Sequence, residues 1–156
     1  MRLPFVFLLA LAACSAREPA CPVADAGEVA ASAGCFAVSR GELLVVQGFN
    51  DKISLPGGSS EAGESARCTA FRETWEETGL RLQPGALLQV FDTGFHLYRC
   101  DRETGAGEIN PPLRFEVQDV FYLGADRFED YEWRFEEQRD LLRTMLLNQV
   151  LVPDDG

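Results

Sequence analysis

Basic residues are scarce in this sequence. Lysine and arginine together number 14 against 25 aspartates and glutamates, a formal net charge of −11. A chain this acidic is a poor non-specific partner for nucleic acid and has no basic patch for an anionic lipid surface. Histidine occurs once, at His96. It alternates with Phe95 and Leu97 and reads as a strand-face residue rather than a catalytic base. None of the cysteines forms a C-x₂₋₄-C pair, which argues against a zinc site. The apolar run Leu3 to Ala13 holds 11 residues and is too short to span a bilayer. No internal repeat is visible.

That short run follows Met1-Arg2, a minimal positive start, so residues 1–13 read as a signal peptide outside the fold. Leu11-Ala12-Ala13-Cys14 resembles the lipobox of bacterial lipoproteins, which implies lipidation of Cys14 as the first mature residue. An ordinary secretory signal, or a start assigned upstream of the true one, is the alternative. On the lipoprotein reading the chain is exported to a bacterial cell envelope and meets the membrane only through Cys14. Residues 14–33 carry Pro19, Pro22 and Gly27 among alanines without a period, the composition of a tether or N-terminal arm. Loss of 1–13 removes only Arg2, taking the charge from −11 to −12. What remains is enough for one domain with a real core, expected over 34–150 with a tail at 151–156.

With Cys14 set aside, Cys21, Cys35, Cys68 and Cys100 remain, an even number that suits an oxidising compartment. Three disulfide pairings are open, and ordinary buried thiols are the alternative. Any bond from Cys21 to a later cysteine would fasten the arm to the domain.

The chain is organised around residues 57–80. Pro56-Gly57-Gly58 signals a turn and Gly63 a second flexible point. Ser65 is placed to cap a helix and Gly79 to end it, which predicts a helix over 66–78. At about 100° per residue Glu73 and Glu77 fall about 40° apart, with Glu76 about 60° further round. Ala66 and Ala70 lie near the same line, so little bulk shields the acids, and Trp75 points away. Three carboxylates on one arc repel and call for a cation among them. Arg72 reaches Glu76 at i+4, an arrangement expected to leave Glu73 and Glu77 free. Oxygen ligands with room for water suit Mg²⁺, Mn²⁺ or Ca²⁺ better than Zn²⁺.

Glycine loop and acidic helix together resemble the Nudix hydrolase box, G-x5-E-x7-R-E-U-x-E-E-x-G-U, with U a bulky apolar residue. Gly58, Glu64, Arg72, Glu73, Glu76, Glu77, Gly79 and Leu80 match. Seven fixed letters give a chance match on the order of 10⁻⁹ to 10⁻⁸ per start position, so the pattern is specific. Thr74 departs, standing where a larger apolar residue is usual. It should pack toward a sheet, so the departure touches packing more than chemistry. The box covers 23 residues, Gly58 to Leu80, and a weaker likeness runs from about Gly34 to Asn148.

The resemblance implies an α/β (α+β) fold, a mixed sheet sandwiched between helices. It also implies a metal-dependent pyrophosphohydrolase acting on a nucleoside diphosphate linked to some moiety X, with Mg²⁺ or Mn²⁺ as cofactor. Metal coordination would fall to Glu73, Glu76, Glu77 and the backbone carbonyl of Gly57. Arg72 would orient Glu76, and Glu64 would brace the loop or help hold a metal. Either Glu73 or Glu116 would serve as base. The alternative is a catalytically silent Nudix-fold lipoprotein that binds or senses a ligand.

The other segments fit such a fold. Cys35–Val38 and Leu43–Val46 read as a hairpin, Ala86–Asp92 and Gly94–Cys100 as strands, and Phe115–Leu123 as a closing strand carrying Glu116. Glu136–Leu147 reads as an amphipathic helix with Leu141, Leu142, Met145 and Leu146 on its apolar side. Phe95, His96, Tyr98, Phe128, Tyr131 and Trp133 are candidates to stack a ring, though such residues more often fill a core. Arg99, Arg114 and Arg134 are candidate phosphate contacts.

Overall fold

The computed structural model describes residues 18–23 and 27–151. The expected signal peptide, Cys14 and the end of the tail lie outside the described residues.

Ser65 and Gly79 frame the helix that the sequence predicts. Helix α1 spans Ala66–Thr78; the Ser65 hydroxyl accepts from the Cys68 N–H at 3.3 Å. Gly79 closes the helix with φ 79°, its N–H donating to the Trp75 carbonyl at 2.7 Å. A Cβ on Gly79 would meet backbone atoms of Asn110 at 2.3 Å, so glycine is required for space as well as for conformation. Ala66, Ala70 and Thr74 face inward and are fully buried. Their small side chains let the helix axis approach the strands closely. Thr74 packs as expected, but its hydroxyl finds no hydrogen-bond partner.

Two four-stranded sheets lie between α1 and a second helix. The first has the order β5 (Gly57–Ser59), β1 (Ser32–Phe36), β7 (Phe95–Arg102), β6 (Leu82–Val90). It is mixed, with β1 parallel to β7 and the other pairs antiparallel. The second is built on β3 (Glu42–Gln47), which pairs with β2 (Val38–Ser39) and β4 (Ile53–Ser54) and along its length with β8 (Asp119–Leu123). Helix α2, Glu136–Leu151, follows a 3₁₀ turn at Ala125–Asp130.

Alternation along β3 explains the layers. Leu44 and Val46 join Ala66, Ala70, Cys35 and Tyr98 on the α1 side. Leu43 and Val45 join Phe36, Leu97, Phe128, Trp133, Leu142 and Leu146 on the α2 side. A strand apolar on both faces must be covered on both. The expected α/β/α sandwich is therefore the fold.

Four local expectations need correction. Cys35–Val38 is not one strand: the chain leaves the first sheet at Ala37 and enters the second as β2. The hairpin turn sits at Arg40-Gly41, where φ is 52° and 81°. Pro56-Gly57-Gly58 is not only a turn, because Gly57–Ser59 pairs antiparallel with β1. A Cβ on Gly57 would lie 2.6 Å from the Gly34 Cα, so the two glycines let these backbones meet.

The closing strand begins at Asp119 rather than Phe115. Its partner β3 ends at Gln47, which pairs with Asp119 and accepts the Gln118 N–H at 2.8 Å, so residues before 118 have no strand to join. Glu116 instead sits in a turn, its N–H donating to the Leu113 carbonyl at 3.0 Å, and Phe115 is exposed. On α2, Leu142 and Leu146 are fully buried and Met145 packs against them, but Leu141 is 37% exposed.

The cysteines form Cys35–Cys100 and Cys21–Cys68 disulfides. The first joins β1 to β7 inside the core. The second ties the N-terminal arm to α1.

Candidate active site

Arg72 is the centre of the site. The residue is 7% exposed, and each nitrogen of its guanidinium has a partner. Nε and one terminal nitrogen grip Glu64 bidentately, both at 2.9 Å, and that same nitrogen reaches the Ser59 carbonyl at 2.9 Å. The other terminal nitrogen donates to Glu73 at 2.8 Å and Glu76 at 3.2 Å. Planarity and five donors make arginine able to do this where lysine could not.

Two expectations change as a result. Arg72 pairs with Glu73 as well as Glu76, so Glu73 is not free. Its tightest hold is on Glu64, eight positions away and outside the helix, rather than on Glu76. Glu64 further accepts from the Glu61 N–H at 3.0 Å and the Thr69 hydroxyl at 2.8 Å. Both of its oxygens are thus engaged, and this geometry supports the loop brace rather than the metal ligand.

Burial pushes the Glu64 carboxyl up, but Arg72, the Glu61 N–H and Thr69 outweigh it and hold it below its ordinary value. Arg72 is pushed well above the ordinary arginine range by its bond to Glu64, against the opposing effect of burial. Glu73 and Glu76 go the other way: burial raises both, and Arg72 offsets only part.

Among the described residues no cation is in contact with Glu77. One of its oxygens accepts the Gly57 N–H at 2.8 Å. Burial, then repulsion from Glu73 and Glu116, push it up to about 8 despite that hydrogen bond. Gly58 lies against Glu73, and a Cβ there would come within 2.3 Å of the carboxylate. The glycine loop is therefore moulded onto the acids of α1.

Glu116 belongs to the same neighbourhood, since its charge raises Glu73, Glu76 and Glu77 alike. The structure thus brings together Gly57, Glu64, Arg72, Glu73, Glu76, Glu77 and Glu116, from the loop, the helix and the turn before β8. Among the described residues no three His, Cys, Asp or Glu side chains stand in ligand geometry already. Glu73 and Glu76 share Arg72, and Glu77 takes the Gly57 N–H. As a donor set, partly buried carboxylates with one shared cation suit a hard divalent ion.

On the other side of Gly57-Gly58 lies a cleft of about 230 Å³. Phe95, Phe135, Arg134, Gln138, Thr93 and Ser32 contribute to its lining. The Arg134 guanidinium lies over the Phe135 ring at 5.3 Å, and its charge is felt at Glu77. Of the residues proposed from sequence for ring or phosphate contact, Phe95 and Arg134 are placed here. His96, Tyr98, Phe128 and Trp133 are buried, and Tyr131 packs on Phe121 at 5.3 Å. Arg114 bonds Asn110 in a separate groove, and Arg99 pairs with Asp101. Sequence reasoning missed Phe135 and Gln138. Phe135 closes an aromatic-acidic connector, and Gln138 is a polar position on α2 that only packing reveals as 8% exposed.

A family model for the NUDIX domain matches residues 29–145 of the chain. The chain belongs to the Nudix hydrolase family. It is 39% identical over 66 residues to the mouse (Mus musculus) protein "Nucleoside diphosphate-linked moiety X motif 6". That match takes in 40% of this chain and 21% of the mouse protein, so the chain spans about a fifth of that relative's length.

Solved structures share the fold at lower identity. An ADP-ribose pyrophosphatase from Streptococcus suis aligns with a TM-score of 0.66 at 17% identity, covering 78% of this chain and 92% of that one. A UDP-X diphosphatase aligns at 0.64 and 21%, covering 80% and 65%. An Ap4A hydrolase from C. elegans, solved as a binary complex, aligns at 0.58 and 18%, covering 80% and 100%.

Proposed function

We propose that this chain is a divalent-metal-dependent pyrophosphohydrolase whose substrate is a nucleoside diphosphate linked to a further moiety. The observation that carries the reading is the arrangement of Glu73, Glu76 and Glu77 on one arc of α1, against a glycine loop with a ring-sized cleft on its far side. Glu73, Glu76, Glu77 and the Gly57 backbone would hold the ion, Mg²⁺ or Mn²⁺. Once bound, such an ion neutralises charge on the diphosphate oxygens.

The remaining work falls to the chain. Arg72 fixes Glu73 and Glu76 and locks the loop through Glu64. Arg134 meets a phosphate oxygen, and Phe95 and Phe135 flank a ring in the cleft. Water attacks phosphorus, the bridging P–O bond breaks, and the water proton passes to a base. Glu116 suits that role better than Glu73, because it is exposed in a turn while Glu73 is bound by Arg72.

A panel of nucleoside diphosphate derivatives followed by ³¹P NMR tests the proposal. Two phosphate-bearing products should form from at least one compound, with Mg²⁺ or Mn²⁺ and not with EDTA. Tight binding of a compound with no turnover under any divalent ion would favour the silent binding protein instead.

We further propose that the chain acts in a bacterial cell envelope, anchored through lipidated Cys14. Pairing of all four remaining cysteines supports an oxidising compartment. Protein made in a bacterium with lipoprotein processing should partition with membranes and resist release by high salt, because acyl burial is not screened. Cys14→Ser should release it, and processed wild-type protein found freely soluble would refute the anchor.

A further inference from the structure

Gln138 has no part in the proposed hydrolysis, yet it is a buried polar side chain with nothing to bond. It stands in the first turn of α2, at i, i+4 and i+8 with Leu142 and Leu146. Those two leucines are fully buried, so this face of the helix turns into the domain. Gln138 follows it inward and is only 8% exposed. Among the described residues its amide has no hydrogen-bond partner, and it is not sealed off as the Thr74 hydroxyl and His96 Nδ1 are. It therefore opens to the cleft that it lines. A buried amide left without a partner is costly, and a ligand in the cleft would remove that cost.

The frame around Gln138 is fixed. The Arg134 N–H donates to the Ile53 carbonyl and the Ile53 N–H to the Glu132 carbonyl, both at 2.8 Å. The Gln138 N–H donates to the Phe135 carbonyl at 3.0 Å. The connector carrying Arg134 and Phe135 is thus stitched to β4 on one side and to α2 on the other. Phe95 is held over Gly34, where a Cβ would meet the ring at 2.6 Å. At about 230 Å³ the cleft takes one ring system rather than a whole nucleotide. Apart from Gln138 and Arg134 its polar side chains are hydroxyls, and no described aspartate or glutamate lines it.

This chemistry selects among bases. A carboxamide presents one donor and one acceptor side by side, which matches the amino group and adjacent ring nitrogen of adenine. Guanine presents N1–H and N2–H together, two donors that a carboxylate would satisfy, and the cleft has none. Cytosine and uracil also offer a donor beside an acceptor, but a single ring gives less area to stack on Phe95 and Phe135.

We propose that Gln138 is the base-reading residue of the cleft and that the substrate is an adenine nucleotide. The base lies between Phe95 and Phe135, and its diphosphate runs past Arg134 toward the carboxylates of α1. The path of the diphosphate rests on the proposed hydrolysis, which leaves the nucleoside open.

Nucleoside monophosphates test this, because they contain no diphosphate bond to be cleaved. AMP, GMP, CMP and UMP are titrated by calorimetry, in EDTA, into wild-type, Gln138→Leu and Gln138→Glu protein. Leucine extends the apolar face of α2, and thermal melting verifies that both variants fold. AMP should bind wild-type protein at least about tenfold more tightly than the other three. Gln138→Leu should weaken AMP about ten- to a hundredfold and level the four affinities. Gln138→Glu should shift the preference to GMP, whose two donors a carboxylate accepts. A residue that only props the helix would not redirect the choice of base. Wild-type protein that prefers another base, shows no preference or binds none of the four would overturn the proposal. So would a Gln138→Leu protein that keeps the wild-type ranking. Mg²⁺-dependent hydrolysis of some diphosphate derivative without an AMP preference would leave the hydrolase standing and the base assignment overturned. AMP preference without hydrolysis of any adenine-bearing diphosphate would keep the base site and remove the hydrolase.

Discussion

Glu77→Gln should cut turnover by about 10²–10³-fold and at the same time stabilise the metal-free protein above neutral pH. The two effects have one cause. Burial pushes the Glu77 carboxyl from its ordinary 4.5 to about 8. Between these values the native state holds a proton that the unfolded chain has released. Stability from this group is therefore fully present below about pH 4.5 and is lost as pH rises through 8. Glutamine keeps the acceptor for the Gly57 N–H without the charge, so that loss disappears. The gain at pH 8–9 is on the order of 2–4 kcal/mol. Urea denaturation in EDTA across pH 5–9 measures it. A wild-type curve that parallels Glu77→Gln over this range would show that burial of Glu77 carries no energetic weight. Near wild-type turnover by Glu77→Gln would remove it from the metal ligands.

Arg72→Ala should destabilise the protein by about 2–4 kcal/mol, somewhat less than stripping the partner from fully buried carboxylates costs, because Glu64, Glu73 and Glu76 are partly buried. Glu64, Glu73 and Glu76 would lose their shared cation, and the Ser59 carbonyl a donor. Arg72→Lys should recover only part of this, since one ammonium cannot grip Glu64 bidentately and reach Glu73 and Glu76 as well. The loop should loosen in both variants, read as faster amide exchange at Gly58–Glu64. A loss under 1 kcal/mol for Arg72→Ala would mean the hub is not what shapes the loop.

How legible all this was in the sequence depended on how local each interaction is. Ser65 and Gly79 act on the turn next to them, so the bounds of α1 could be read directly. The arc of Glu73, Glu76 and Glu77 follows from helix geometry alone. Arg72 with Glu64 does not, because the loop between them can take many paths and only the fold fixes one. Arithmetic at i+4 therefore found the weaker bond to Glu76 and missed both Glu64 and Glu73.

The closing strand is shorter than its alternation predicts for a similar reason. Phe115 and Val117 alternate properly, but β3 ends at Gln47 and offers them nothing to pair with. The same truncation leaves Glu116 in a turn, where its charge still acts on the acids of α1. Disulfide pairing and the cleft wall at Phe135 and Gln138 were out of reach, since both join segments far apart in the chain.

The central claim is that the carboxylates of α1 hold a divalent ion and that this ion is needed for diphosphate hydrolysis. The most direct measurement is product formation by ³¹P NMR from an active nucleoside diphosphate derivative, for wild-type and Glu77→Gln protein, in EDTA and after Mg²⁺ add-back. Wild-type protein should be silent in EDTA and recover fully with Mg²⁺, while Glu77→Gln stays at least about a hundredfold slower at saturating ion. Undiminished hydrolysis by wild-type protein in EDTA would contradict the account.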